Sequence, residues 1–184
     1  MRKIVYYPDP VLRVVTPPIG EVDAELEQDI GALVEVMQQE KEHAAGLAAP
    51  QIGLKRRFFG LIMGEKRKLE VFINPEVVKT YQEKTRPVMV YENGEKDLFL
   101  EGCLSFPGLF GTVRRYLKIE ARWMVVTDGK LVSCSRILEG MEAIAFQHEL
   151  DHLNGVLFID RIKEEKGELY QWEGEKKKRA EFVS

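Results

Sequence analysis

The chain has 184 residues, 45% hydrophobic and 31% charged, with a formal net charge of -3. The length suits one domain over residues 1–184 with a real core. The weakly acidic balance gives no electrostatic footprint for a nucleic-acid substrate, so no DNA partner is expected. No stretch is long and apolar enough to span a bilayer, so no membrane partner is expected either. Cys103 and Cys134 make no disulfide framework. Ile4-Val5-Tyr6-Tyr7 before Pro8 is too short for a signal peptide. The expected location is the cytoplasm, a reducing compartment.

Tyr7-Pro8-Asp9-Pro10 reads as a rigid, non-helical segment, and Thr16-Pro17-Pro18-Ile19-Gly20 as a second extended piece. From Asp23, Leu26, Ile30, Leu33, Val34 and Met37 recur every three or four residues behind early acids, which predicts a packing helix over about 23–42. Ala44-Ala45-Gly46-Leu47-Ala48-Ala49-Pro50-Gln51 is small and uncharged. Small residues let something approach the backbone closely. The run reads equally well as a packed loop or strand with Gln51, its one polar side chain, at the surface.

Strands are predicted from Arg57 to Met63 and from Leu69 to Ile73, the second ending at Asn74-Pro75, with Gly64-Glu65-Lys66 between them. Val77 to Tyr81 and Pro87 to Tyr91 are further strands. Asn93-Gly94 is a turn signal, and Gln82 to Leu98 reads as a surface excursion. Val113 to Thr127 alternates through Ile119, Ala121, Trp123 and Val125, and Asp128-Gly129 turns it into Leu131-Val132.

Glu101-Gly102-Cys103-Leu104-Ser105 carries the first chemical signal, because a thiolate is a good ligand for zinc or ferrous iron. Cys134, between Ser133 and Ser135 at a predicted strand end, reads as a small packed residue. Spacing alone also allows Cys103 to be a free thiol.

Gln147-His148-Glu149-Leu150-Asp151-His152 carries the second. His148 and His152 stand four apart, on one helix face. Glu149 sits one step round, placed to take a proton from an attacking water, as in the His-Glu-x-x-His hydrolases. Met141, Ile144, Ala145, His148 and His152 share a side, while Phe146, Leu150 and Leu153 make other faces apolar. A buried, metal-binding helix over about 139–154 follows, stopped by Asn154-Gly155. A buried helix with two hydrogen-bonded histidines is the plainer alternative. Cys103, His148 and His152 together would make three ligands with a position left open. The element order predicts an α+β fold, with mostly antiparallel sheets wrapped around this central helix, an N-terminal helix over about 23–42 and a C-terminal helix.

Three motifs in order resemble those of the peptide deformylases: Gly46-Leu47-Ala48-Ala49-Pro50-Gln51, Glu101 to Ser105, and Gln147 to His152. Tyr7 to Arg13, Ile73-Asn74-Pro75 and Ser105 to Arg115 are similar too, so the resemblance runs from about Lys3 to Ile162. It implies removal of the N-formyl group from the initiator methionine of nascent chains, whose N-formylmethionyl peptides are then the partners. It implies Fe(II) in the cell, with Zn(II), Ni(II) or Co(II) in purified protein. By position, Cys103, His148 and His152 become the metal ligands and Glu149 the general acid/base. Gln51 and the backbone N–H of Leu104 become the oxyanion donors, and Gly46 offers its backbone to the substrate. Ile144, Ala145 and Met141 are expected to line an apolar methionine pocket. Glu101, Asp151 and Arg115, the residue matching the family's arginine, are expected to form an ion-pair network holding the Cys103 loop against the helix; the other reading puts Arg115 at the surface.

The chain departs from the family where its first motif opens Ala44-Ala45 rather than Gly-x. A family glycine at positive φ would leave Ala44 strained, and Ala45 in place of a larger residue would open the pocket wall. Family members carry a C-terminal helix that can contact the ribosome. Here the charged tail from about Lys163 contains Glu175-Lys176-Lys177-Lys178-Arg179, which suits RNA or, more simply, a solvated end. A monomer is expected.

Two other classes compete. In a metalloprotease, Phe158 stands where a third histidine would be, Glu164 or Glu168 would have to substitute, and Cys103 goes unexplained. A structural metal site would need a fourth ligand from His43 or Cys134.

Overall fold

The structure is a computed structural model that describes residues 2–40, 44–64, 66–174 and 176–181. The predicted helix end at Glu42, the rival ligand His43, and Glu65 and Glu175 lie outside the described residues. After a short 3-10 turn at Pro10–Arg13, the chain forms helix α1 (Ala24–Gln39) and strands β1 (Gly46–Ala48), β2 (Phe58–Met63), β3 (Lys68–Thr80), β4 (Val88–Val90), β5 (Lys96–Leu98), β6 (Glu101–Gly102), β7 (Leu109–Gly111), β8 (Lys118–Thr127) and β9 (Lys130–Glu139). Helices α2 (Gly140–Leu153) and α3 (Phe158–Glu164) and strands β10 (Leu169–Glu173) and β11 (Lys176–Ala180) complete it.

This is the expected α+β arrangement. One sheet runs β1-β2-β3-β8-β9, a second runs β11-β10-β7-β6, and β4 and β5 pair as a ribbon. The pairings are antiparallel. β2 shows why the first sheet sits between α1 and α2. Successive strand side chains point to opposite faces. Phe59, Leu61 and Met63 join Phe72, Trp123 and the α2 residues Ala143 and Phe146. Phe58 joins the α1 residues Leu26, Leu33 and Met37, with Ile62 packed alongside. Phe59 and Phe146 meet edge to face at 5.2 Å between centroids. Each such fully buried side chain contributes about 1.5–3 kcal/mol from burial.

Several elements depart from the periodicity reading, each for a local reason. β3 does not end at Asn74-Pro75; it runs on through the predicted Val77 strand. Asn74 takes a φ of +49°, and its side-chain amide both accepts from the Ile19 N–H and donates to the Ile19 carbonyl, at 2.8 and 2.7 Å. Pro75 falls in a register shift between Ile73 and Glu76, where a missing N–H forfeits no ladder bond. β8 starts at Lys118, not Val113, and Cys134 lies mid-strand opposite Trp123. Pro10 opens the 3-10 turn, with Asp9 accepting from the Val11 N–H at 2.9 Å. The last helix is the short α3. Beyond it the chain folds back as the β10–β11 hairpin, and Lys176 to Arg179 lie in a strand.

α2 is fixed at both ends. Gly64 N–H donates to Glu142 in its first turn at 3.0 Å. At the other end Gly155 has a φ of +68°, and a Cβ there would stand 2.5 Å from the Arg13 carbonyl oxygen. The stop read from Asn154-Gly155 is therefore enforced by close backbone packing as well as by conformation.

Candidate metal centre and catalytic cavity

His148 and His152 project from α2 one turn apart, their ring centroids 5.0 Å from each other. Cys103 follows β6. A ligand atom from each of the three lies within 4.8 Å of the others, with Cys103 Sγ 3.3 Å from His152 Nε2. His148 Nδ1 faces Glu101 Oε1 at 2.7 Å, so Nε2 is the nitrogen left for a metal. Burial alone would pull the His148 imidazole down, but Glu101 and Cys103 push it well above its ordinary range. His152, buried beside it, is pulled well down. One thiolate and two imidazoles fit a divalent transition metal and leave a coordination position open.

Among the described residues, the rival ligands do not join the cluster. Phe158, at the metalloprotease position, is packed against Phe106 at 5.3 Å and His148 at 6.2 Å. Glu164 pairs with Arg161, and Glu168 accepts from Tyr170.

Glu149 is buried, and its Oε2 has no hydrogen-bond partner among the described residues. Burial pushes its carboxyl up to about 7, against the pull of His148. Room for that carboxylate comes from Gly46: a Cβ there would lie 2.5 Å from Glu149 Oε1 and 2.6 Å from Leu61 Cδ2. Gln51 is 1% exposed, not at the surface. Its Oε1 accepts from the Ala48 N–H at 2.8 Å, and its Nε2 donates to Cys103 Sγ and to Ser105 Oγ, both at 3.3 Å. The amide is therefore oriented by its own loop and stabilises the cysteine sulfur.

Arg115 is buried too, which excludes the surface reading. Its guanidinium binds both oxygens of Glu101, at 2.6 and 3.0 Å, and Asp151 at 2.6 Å. Burial would raise the Glu101 carboxyl, but Arg115 and His148 hold it down at about 2. A second arginine, Arg161 of α3, clasps Asp151 at 2.7 and 3.1 Å. It went unforeseen, since nothing in a ten-residue separation signals contact. Gln147 ties α2 to the same segment, donating to the Tyr116 carbonyl at 2.8 Å and accepting its N–H at 3.1 Å.

These groups open onto a cavity of about 640 Å³ lined by Ala45, Gly46, Leu104, Met141, Ile144 and Ala145. Met141 is 48% exposed and so forms the rim. Phe99, Phe106 and Phe110 also line it; their apolar character was visible in the sequence, but their convergence depends on how β5, β6 and β7 meet. Ala44 is not among the described residues with positive φ, so the expected strain there is absent.

A family model for polypeptide deformylase matches residues 1–168. A peptide deformylase of Thermotoga petrophila is 39% identical over 162 residues, covering 88% of this chain and 87% of that protein. The crystal structure of the Thermotoga maritima peptide deformylase superposes with a TM-score of 0.71 at 38% identity, over 88% of this chain and 97% of that one. A Synechococcus elongatus peptide deformylase in complex with actinonin gives 0.71 at 31% identity, over 87% and 78%. Motifs, fold and cluster agree with these matches, and the chain belongs to the peptide deformylase family.

Proposed function

We propose that the chain hydrolyses the N-formyl group from the initiator methionine of nascent polypeptides, releasing formate, at a metal held by Cys103, His148 and His152. Fe(II) is the ion we assign in the cell, with Zn(II), Ni(II) or Co(II) able to fill the same donor set in purified protein. When bound, the metal supplies a Lewis acid and makes water a usable nucleophile near neutral pH. Glu149 takes the proton of the attacking water on its uncommitted oxygen and delivers it to the departing amine. Positive charge beside Glu149 favours its carboxylate, the form that accepts. Gln51 and the Leu104 N–H donate to the oxyanion of the tetrahedral intermediate; losing one such donor costs about 3–4 kcal/mol in the barrier. The methionine side chain packs against Ile144, Ala145 and Met141, and the backbone of Gly46 holds the peptide beside Glu149. We expect the protein to act as a monomer.

The observation that carries the proposal is the buried, unpartnered carboxylate oxygen of Glu149 beside three converging metal donors in an apolar-walled cavity. Its test is formate release from formyl-Met-Ala-Ser by anaerobically purified, Fe(II)-loaded protein. No release from folded, metal-loaded enzyme would sink it, and cleavage of an internal peptide bond instead would move the chain to the metalloproteases.

Two further outcomes are expected. Stripping the metal with a chelator should abolish turnover and lower the thermal midpoint. Binding at a thousandfold excess over Kd stabilises by about 4 kcal/mol, on the order of 10 °C for a chain of this size. Re-addition of Fe(II) should restore both. Gly46→Ala should cost about 1–3 kcal/mol of stability, as overpacking does, and depress kcat more than KM, because the added methyl displaces Glu149. A variant with unchanged kcat would show that Glu149 has room to spare.

A further inference from the structure

The second sheet has two unlike faces. Leu169 of β10 is buried with Ile162 of α3. The opposite face begins inside the catalytic cavity, because Phe110 of β7 lines it. Tyr170 stands directly opposite Phe110, and Arg179 directly opposite Tyr170. Residues paired in this way share a face, and so do alternate residues along a strand, which adds Trp172 and its partner Lys177. Lys177 Nζ lies over the Tyr170 ring at 4.9 Å, as this requires. Trp172 is 46% exposed, and its backbone N–H donates to the carbonyl of Gly108, another residue of the cavity rim, at 3.2 Å. An aromatic strip therefore leaves the cavity at Phe110 and continues over Tyr170 and Trp172.

We propose that this strip binds the part of the nascent chain that follows the first three residues, and that it favours apolar or aromatic side chains there. The inference rests on the deformylase reading, because the occupant is the emerging end of that substrate. The strip crosses one strand spacing of about 5 Å from Phe110 to Tyr170 and then runs about 7 Å along β10 to Trp172, the reach of roughly three extended residues, which we assign to positions four to six. The basic residues on this face are already matched: Lys177 lies 3.7 Å from Asp97 and Arg179 3.7 Å from Glu168. On the other face Lys178 pairs with Glu173. A matched, aromatic surface suits a peptide better than a phosphate backbone, which wants uncompensated positive charge.

The test compares formyl-Met-Ala-Ser with two hexapeptides, formyl-Met-Ala-Ser-Leu-Phe-Leu and formyl-Met-Ala-Ser-Gly-Ser-Gly. The apolar hexapeptide is expected to exceed the glycine-serine one about tenfold in kcat/KM, mostly through KM. Trp172→Ser should bring that ratio close to one. Because the readout is a ratio within one preparation, loss of folded enzyme cancels. Equal rates for the two hexapeptides, or a preference that survives Trp172→Ser, would overturn the inference while tripeptide turnover upholds the deformylase reading. Absence of tripeptide turnover would count against that reading itself. Should Trp172→Ser keep the peptide ratio but weaken salt-dependent binding to purified ribosomes, the face belongs to RNA and the peptide inference falls.

Discussion

Glu149→Gln is expected to reduce kcat for formyl-Met-Ala-Ser by about 10²–10⁴, the range over which a positioned general base contributes, while bound metal per chain stays the same. Glutamine keeps the shape and fills the space opposite Gly46, but it cannot accept a proton. The separation of the two readouts matters. Glu149 is not one of the three clustered donors, and its Oε2 has no partner among the described residues. A merely structural glutamate, when replaced, would lower stability and metal content together. A catalytic one lowers turnover alone, and the loss appears in kcat as well as kcat/KM because the proton moves in the transition state. Elemental analysis and stopped-time formate assays on one preparation distinguish the cases. A variant that turns over at the wild-type rate would remove Glu149 from the mechanism and shift attention to Gln51.

Much of this site was legible before any fold was known, because its chemistry is written in short local patterns. His148 and His152 share a face through helical spacing alone. Cys103 has to be paired with them across 45 residues or more, and no periodicity carries that; Cys134 is set aside because it reads as a small packed residue between Ser133 and Ser135, and the resemblance of the Cys103 motif supports the choice. The fold class followed from strand alternation and the capped helices. What escaped was non-local or bent. β3 continues through Asn74-Pro75 because Asn74 is pinned by Ile19, a residue 55 positions earlier. Gln51 looked equally suited to the surface because only the assembled loop gives its amide partners. Gly46 was read as backbone for the substrate, whereas it also leaves the space that Glu149 fills. The C-terminal run looks in the sequence like a solvated basic end; Lys176 to Arg179 are indeed exposed, but backbone pairing with β10 places them in a strand rather than a frayed tail.

Arg115→Met should destabilise the protein by about 3–5 kcal/mol, the cost of leaving buried charge uncompensated. For a chain of this size that lowers the thermal midpoint by roughly 6–20 °C. Arg115 is 3% exposed and stands between Glu101 and Asp151, which are themselves buried. Methionine fills the volume of the aliphatic stem but gives neither carboxylate a partner. Asp151 keeps Arg161; Glu101 keeps only His148. Glu101, without its guanidinium, must then take up a proton or draw harder on the His148 ring. Either response disturbs the group that orients a metal ligand, and loss of such support typically weakens metal binding 10–100-fold. Two effects therefore travel together: a lower denaturation midpoint for the metal-free protein and a weaker metal affinity beyond what that midpoint explains. Arg115→Lys should recover part of the stability but less of the affinity, since an ammonium cannot hold both Glu101 oxygens and Asp151 in one plane. If Arg115→Met unfolded at the wild-type midpoint and bound metal as tightly, the Glu101–Arg115–Asp151 network would have to be dispensable, and the positioning of His148 would rest on the helix alone.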